Sequence, residues 1–532
     1  MTSGTSAASA KDRLSSISSV TFDVAIIGGG IIGCGIARDA ALRGLRVALF
    51  ERADFGGGTT AASTRIVHGG LRYLEMFDFR LVRLDLRERE TLLRIAPHLV
   101  QPLEFLIPFF SGAPVSPLKL RLGLMLYDAL SFDRSLPSHR TLDAGQARRT
   151  ERALRNYDVR GGAAYYDARV DLPERLALEN ILDAEAHGAA ALNYCDVRST
   201  EVNNGVACGV RVRDTLTGRE ADIAARIVVN ATGPWWEHVA AAQTGRRRGR
   251  VRTTKGVHIV CPPLTDRALV LFSDVDRRLM FAIPRGGQTW IGTTDTDFDG
   301  DPAGARATAP DVEYLLASVR SLFPALTAAD VLYTTAGVRA LVTQGGRASA
   351  VSRMHQVVEH EPIPGVISVL GGKITGYRAI AEEVTDVVCR RAGITRRCST
   401  AEVPLPGARN PAAAQDAGEV PGFLRALYGC RTTEVLALTG LGEDLTEPLS
   451  PHYPDIGAQV VFGVRAEHCV RISDFIRRRT SLGASADQGW AAAPRVAALM
   501  AAELGWPPQQ EASELDAYRR EIDATRAFRE DR

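Results

Sequence analysis

The stretch FDVAIIGGGIIGCGIARDAALRGLRVALFE, residues 22–51, decides the fold. It opens on the apolar run FDVAII and breaks at once into glycines. A segment with helical spacing follows and ends at Gly44, a suitable C-cap. RVALFE then reads as a second buried strand. Strand, turn, helix and strand within about 30 residues make a βαβ unit. Gly28, Gly30 and Gly33 have the G-x-G-x-x-G spacing. The first glycine permits the tight turn, the second lets the backbone approach a pyrophosphate, and the third lets helix and strand pack closely. The helix start offers free N–H groups to phosphate charge. Glu51 closes the second strand, where an acid binds ribose hydroxyls. The unit is a dinucleotide-binding fingerprint.

Two later glycine turns indicate which dinucleotide. Ala231, Thr232 and Gly233 follow the apolar strand RIVVN. Gly371, Gly372 and Lys373 end the strand VISVL and lead through Thr375 into a helix. A nicotinamide dinucleotide needs only the first turn. A flavin dinucleotide needs further close backbone approaches, so FAD is favoured.

The rest of the chain bounds the reading. At 532 residues it is too long for one typical core. A net charge of +2 gives no global case for nucleic acid. Arg246, Arg247, Arg248 and Arg250 form a local basic cluster, read as a solvated loop or an anionic-membrane contact. Eight cysteines occur without a CxxC or zinc-like spacing, which suits free thiols in a reducing, cytoplasmic setting and no metal. Residues 1–20 read as a disordered Ser/Ala-rich tail without a signal-peptide core. FLIPFFSGAPVSPLKLRLGLMLYDAL, 105–130, is the most lipid-friendly stretch, able to lie on a membrane or to cover a core. Helices are expected over 86–96 and 169–189, the latter capped near Asp171. Short alternating segments between about 250 and 300 predict an antiparallel sheet. From about 408 onward the chain is Ala-rich and helical, with PGFLRALYG and AEHCVRISDFIRRRT as the clearest pieces.

Four cations stand beside elements that can converge on the cofactor: Arg72, Arg339, Arg353 and Lys373. Buried cations without anions are costly. A substrate phosphate, with a charge of about −1.5 to −2, satisfies several of them. The segments that carry them, TTAASTRIVHGGLRYLE, KGVHIV, IGTTDTD, GVRAL and GGKITGYR, occur in this order with the fingerprint and NATGPW. Together they resemble the FAD-dependent, aerobic-type glycerol-3-phosphate dehydrogenase family. The resemblance runs over about 22–390, and RISDFIRRRTSLG resembles that family's C-terminal helical domain.

The resemblance implies an α/β fold: a Rossmann-type FAD-binding domain, an inserted antiparallel-sheet substrate domain and a C-terminal helical domain. The expected oxidoreductase part spans 21–400, with FAD-binding segments about 21–100, 160–240 and 335–395. Substrate-domain segments are about 100–160 and 250–335, and the helical domain is 401–532. Thr59, Thr60, Ser63 and Arg65 would lie along the flavin. Arg72 and Tyr73 would face the substrate, with Arg339, Arg353 and Lys373 on its phosphate and hydroxyl groups. His258 and His68 are the candidates for proton transfer. His258 is preferred as the base because it sits on a strand of the substrate domain. The implied reaction is oxidation of sn-glycerol 3-phosphate to dihydroxyacetone phosphate by hydride transfer to flavin, while Arg339 holds the oxygen as charge builds. The implied acceptor is a membrane quinone, with oxygen as the other option. The 105–130 stretch and the arginine cluster make peripheral attachment to the inner face of the cytoplasmic membrane an expectation, and a homodimer is the assembly considered. Departures from the family pattern are Ile32 for a frequent Asn, Arg65 for a frequent Lys, and Gly376 for a frequent Thr. The alternatives are a related FAD oxidoreductase of a 2-hydroxy acid or amino acid, and a flavin-binding scaffold without catalysis.

Overall fold

The fingerprint segment forms the strand Phe22–Ile27, the helix Ile31–Leu42 and the strand Val47–Phe50. Val24, Ala25 and Ile26 are wholly buried, as befits a central strand apolar on both faces. The computed structural model describes residues 13–530, apart from 75, 113–114, 238, 240–250, 343–354, 361–362 and 411–419. The first strand sits mid-sheet, in the order 356–359, 366–370, 220–230, 22–27, 47–50, 190–192. All neighbours on this path are parallel except the edge strand Gln356–Glu359. The turns after 22–27, 220–230 and 366–370 therefore emerge together at the carboxyl edge. Ligands of open α/β sheets bind at that edge.

Among the described residues the second sheet has ten strands and is mostly antiparallel. Its long members are Val100–Phe110, Val159–Val170, Val251–Cys261 and Tyr333–Val342. Only 268–272 against 100–110 is parallel. The two-residue strand Ile66–Val67 pairs with 159–170. The segment after the fingerprint is thus stitched into the second sheet while its neighbours stay beside the first.

The third part is a cluster of helices from Gly422 onward with its own apolar core. Arg479 and Arg175 join it to the first sheet's layer. Arg479 grips Asp54, and Arg175 pairs with Glu467 at 2.9 Å; all four are buried.

Some expectations change in detail. Residues 13–20 of the tail are ordered: Leu14 is buried, Ser15–Ser18 forms a helical turn, and Arg13 reaches Asp214 at 3.3 Å. The helix expected over 169–189 is Pro173–Ala186, and Asp171 does not cap it. The Asp171 carbonyl instead accepts from Arg65 and Arg285. The stretch AEHCVRISDFIRRRT is not one helix; its last part is a wide turn, Asp474–Arg479, bent by its contacts to Asp54. The lipid-friendly stretch divides: 105–110 is sheet, whereas Pro117–Leu130 is a surface helix.

Candidate active site

One cavity of about 780 Å³ runs from the carboxyl edge of the first sheet to the face of the second. All three glycine turns line it, as do residues 57–60 and 62–66, His68, Tyr73, Arg339 and the segment 371–375. The volume falls in the range of small-molecule and cofactor sites.

The dinucleotide end is built of backbone. Gly28 has φ +104°, and a Cβ there would stand 2.8 Å from the Ala231 carbonyl oxygen. A Cβ on Gly33 would stand 1.9 Å from the Gly28 oxygen, so the helix touches its own turn. Gly30 is the N-cap of the fingerprint helix. The Glu51 carboxylate accepts from the N–H of Gly29 at 2.7 Å and of Ala53 at 2.9 Å. Burial pushes the Glu51 carboxyl up, against those two bonds. Thr60 Oγ1 accepts from Ile31 N–H at 3.0 Å, and Thr59 Oγ1 donates to the Val338 carbonyl at 2.7 Å. Thr232 Oγ1 donates to Asn230 Oδ1 at 2.7 Å, which fixes the second turn ahead of Gly233. The third turn carries Gly371 and Gly372, both at positive φ, and Gly372 packs on Ile32. The Ser63 hydroxyl is buried with no partner among the described residues. A cradle that Cβ atoms would fill and an orphaned hydroxyl beside it fit a dinucleotide lying along these turns.

Residues 63–73 close the cavity. His68 N–H donates to Thr375 Oγ1 at 3.1 Å, and that hydroxyl donates back to the His68 carbonyl at 3.3 Å. Gly69 N–H donates to Tyr127 Oη at 2.9 Å. The segment is therefore held from the third glycine turn on one side and from the surface helix on the other. Arg65 lines the cavity, but its guanidinium is committed elsewhere. It makes a two-pronged pair with Glu174 at 2.6 and 2.8 Å and donates to the Ala61 carbonyl.

Arg339, Lys373, Tyr73 and His68 also line this cavity. Arg339 stands on strand 333–342 opposite Thr254. It donates to Thr293 Oγ1 at 3.0 Å, to the Thr294 carbonyl at 3.2 Å and to Asp295 at 3.3 Å. A Cβ on Gly256 would stand 2.1 Å from its guanidinium, so the GVRAL and KGVHIV segments fit through a missing side chain. The Lys373 ammonium lies 4.5 Å from the centre of the Tyr73 ring and is paired with Asp85.

His258 is not among the residues that line this cavity. It is 2% exposed and lines a smaller recess with Arg65, Arg285 and Trp290. Its Nε2 bonds Thr64 Oγ1 at 3.1 Å and its Nδ1 bonds Thr335 Oγ1 at 3.4 Å. Burial first, then the charges of Arg339, Arg65 and Arg285, hold its pKa down to about 3.

Arg353, the Arg72 side chain and the Arg246–Arg250 cluster lie outside the described residues. Sequence reasoning missed Asp85, Arg285 and the Thr293–Asp295 support of Arg339. The IGTTDTD segment was visible as part of the resemblance, but nothing in its spacing shows that it carries an arginine. Asp85 sits in a charge-rich helix and reads there as surface.

A parallel dinucleotide sheet with three backbone turns at one edge, closed by an antiparallel sheet bearing cations, defines a flavin-dependent oxidoreductase. Comparison with known proteins agrees. Residues 23–386 match the family described as FAD dependent oxidoreductase, and 398–511 match the C-terminal domain of alpha-glycerophosphate oxidase. The glycerol-3-phosphate dehydrogenase of a Synechocystis strain is 40% identical over 94% of this chain and 96% of its own. The aerobic glycerol-3-phosphate dehydrogenase of Bacillus subtilis is 36% identical over 83% of this chain and 80% of its own. The crystal structure of the Bacillus halodurans glycerol-3-phosphate dehydrogenase complexed with FAD superposes with a TM-score of 0.78. It is 31% identical and covers 98% of both chains. The chain belongs to the FAD-dependent glycerol-3-phosphate dehydrogenase family.

Proposed function

We propose that the protein oxidises sn-glycerol 3-phosphate to dihydroxyacetone phosphate in this cavity and passes the electrons to a membrane quinone. The observation that carries the reading is that Arg339, Lys373, Tyr73 and His68 line the same cavity as the glycine turns. Oxidising the substrate's secondary alcohol removes the hydrogen on C2 with two electrons, and the hydroxyl proton. FAD, when bound, supplies the two-electron acceptor. The glycine turns, Glu51, Thr59, Thr60 and Ser63 would hold it.

The chain's own residues do the rest. Lys373 places a positive charge for the phosphate, and Arg353 and Arg72 remain proposed partners there. Arg339 is rigidly held by three acceptors and faces the oxygen on which charge builds. The geometry shifts the proposed base from His258 to His68. Both ring nitrogens of His258 are taken by hydroxyls, and a pKa of about 3 makes it a weak proton acceptor. His68 lies on the wall of the main cavity. Adding sn-glycerol 3-phosphate to the oxidised holoprotein without oxygen should bleach the visible flavin absorbance. A flavin that stays oxidised with this substrate but is bleached by a 2-hydroxy acid would move the reading to that class.

The acceptor reading rests on the surface helix. Among the described residues no helix is long and apolar enough to cross a membrane. Helix Pro117–Leu130 nevertheless turns Leu118, Leu122 and Met125 outward, each more than half exposed, with Phe77 and Phe132 exposed on neighbouring segments. Lys119 and Arg121 lie on the same helix for anionic headgroups. Its inner side carries Tyr127, bonded to Gly69 of the active-site segment. The cavity wall between is apolar: Leu71, Tyr165, Val270, Leu279 and Phe281. The expected attachment is therefore peripheral. Burying one such side chain is worth about 1.5–3 kcal/mol. Leu122→Glu with Met125→Glu should lower binding to anionic vesicles by at least about tenfold, while substrate still bleaches the flavin. Unchanged vesicle binding would remove this face from the account.

A further inference from the structure

Lys373 reaches the cavity from the third glycine turn, but its ammonium is turned to a carboxylate behind the cavity wall. That carboxylate is Asp85, on helix Phe79–Ile95, and it is fully buried. Among the described residues only its Oδ2 is used, and Oδ1 has no hydrogen-bond partner. It lies 3.6 Å from where a Cβ on Gly376 would stand. The missing side chain leaves room for the carboxylate and supplies it with no donor.

The other charges around Asp85 are already matched. From its own helix, Glu88 faces it and is gripped by Arg378 at 2.6 and 2.8 Å. From strand 159–170, Asp167 faces it and is held by Arg89 at 2.6 Å and by the Tyr127 hydroxyl at 2.8 Å. Lys373 is thus the cation that answers Asp85, and two further carboxylates stand close by. Burial, then Glu88 and Asp167, push the Asp85 carboxyl up to about 7 even with Lys373 lowering it.

We infer that Asp85 competes with the substrate's phosphate for the Lys373 ammonium, so that the lysine divides its charge between a buried carboxylate and the arriving anion. The inference rests on the reading that Lys373 holds the phosphate. Its consequence is a proton linkage. An anion that draws on Lys373 leaves Asp85 less well paired and adds negative charge nearby. The proton affinity of Asp85 therefore rises on binding, and the complex takes up a proton. Anion affinity must then fall as pH rises through the neutral range. Asp85 is a positioning residue that sets how much of the Lys373 charge the substrate receives.

Inorganic sulfate is the probe, because its charge does not change between pH 6 and 9. Binding to the oxidised holoprotein is followed by the flavin difference spectrum at pH 6.5 and 8.5. Asp85→Asn should bind sulfate about tenfold more tightly than the wild type at pH 8.5, and equally at pH 6.5. A titrating His68 would be common to both proteins and leaves this difference intact. Gly376→Thr provides the second variant. Its φ of −93° accepts any side chain, and its hydroxyl can donate to Asp85 Oδ1. That favours the ionised form and should move the midpoint of the wild-type pH dependence to lower pH. Equal sulfate affinity of wild type and Asp85→Asn at pH 8.5 overturns the competition. So does weaker binding by Asp85→Asn at both pH values. If neither sulfate nor sn-glycerol 3-phosphate perturbs the flavin, the substrate reading itself fails.

Discussion

His68→Gln is expected to lower kcat by about 10²–10⁴-fold, the usual contribution of a positioned general base. FAD content and substrate binding should persist. His68 lines the main cavity, and its backbone N–H and carbonyl are both bonded to the Thr375 hydroxyl. Glutamine keeps the polarity and approximate size but cannot take the proton. The matched variant is His258→Gln. His258 is enclosed by three arginines and bonded to two threonine hydroxyls. Its loss should unsettle Thr64 and cost stability, with a fall in kcat well short of that range. Full turnover by His68→Gln would return the base to His258.

The contrast between these histidines shows what the sequence could and could not carry. Both stand in segments that resemble the family, and both are followed or preceded by glycines. Position on a strand of the substrate sheet favoured His258. Strand 251–261 does place it near the chemistry, but the side chain points into a recess behind Thr64. Alternation along a strand tells which residues share a face, not how deep a face lies. The fingerprint was legible because every one of its constraints is local: a strand, a turn, a helix and an acid within one short run. The three glycine turns were legible singly, and their meeting followed from parallel pairing of three strands at one edge. Asp85 was not legible. Its neighbours Arg83, Arg87 and Glu90 give the helix a charged face, and only the packed structure shows that Asp85 points inward with Leu86. The arginines of the C-terminal domain were hidden for the opposite reason. Their partner lies 424 and 425 residues earlier in the chain.

That partner is Asp54, and Asp54→Ala should have the largest effect on stability. Asp54 stands in the loop between Glu51 and Thr60, two residues that shape the dinucleotide turn. Arg479 donates to both of its oxygens at 2.8 and 2.9 Å, Arg478 donates at 2.6 Å, and Asn193 adds a bond at 3.2 Å. Arg479 also donates to the Glu467 carbonyl, so one guanidinium ties the helical domain's backbone to the dinucleotide loop. Burial alone would raise the Asp54 carboxyl, but Arg479 and Arg478 outweigh it and hold it well below the usual carboxylate range. Its contribution is therefore complete above the unfolded value of about 3.9 and is lost only as the pH falls below that. Removing the carboxylate leaves the buried Arg479 without its anion, which costs about 3–5 kcal/mol, while the half-buried Arg478 keeps Asp474. Against a typical total of about 5–15 kcal/mol, such a loss should show as a lower unfolding midpoint and as FAD released on gel filtration. Arg479→Met tests the cause. In the double variant the orphaned Arg479 charge is gone, so the two losses should sum to less than additive. An unfolding midpoint and FAD content equal to the wild type in Asp54→Ala would mean that the helical domain merely rests against the loop rather than holding it.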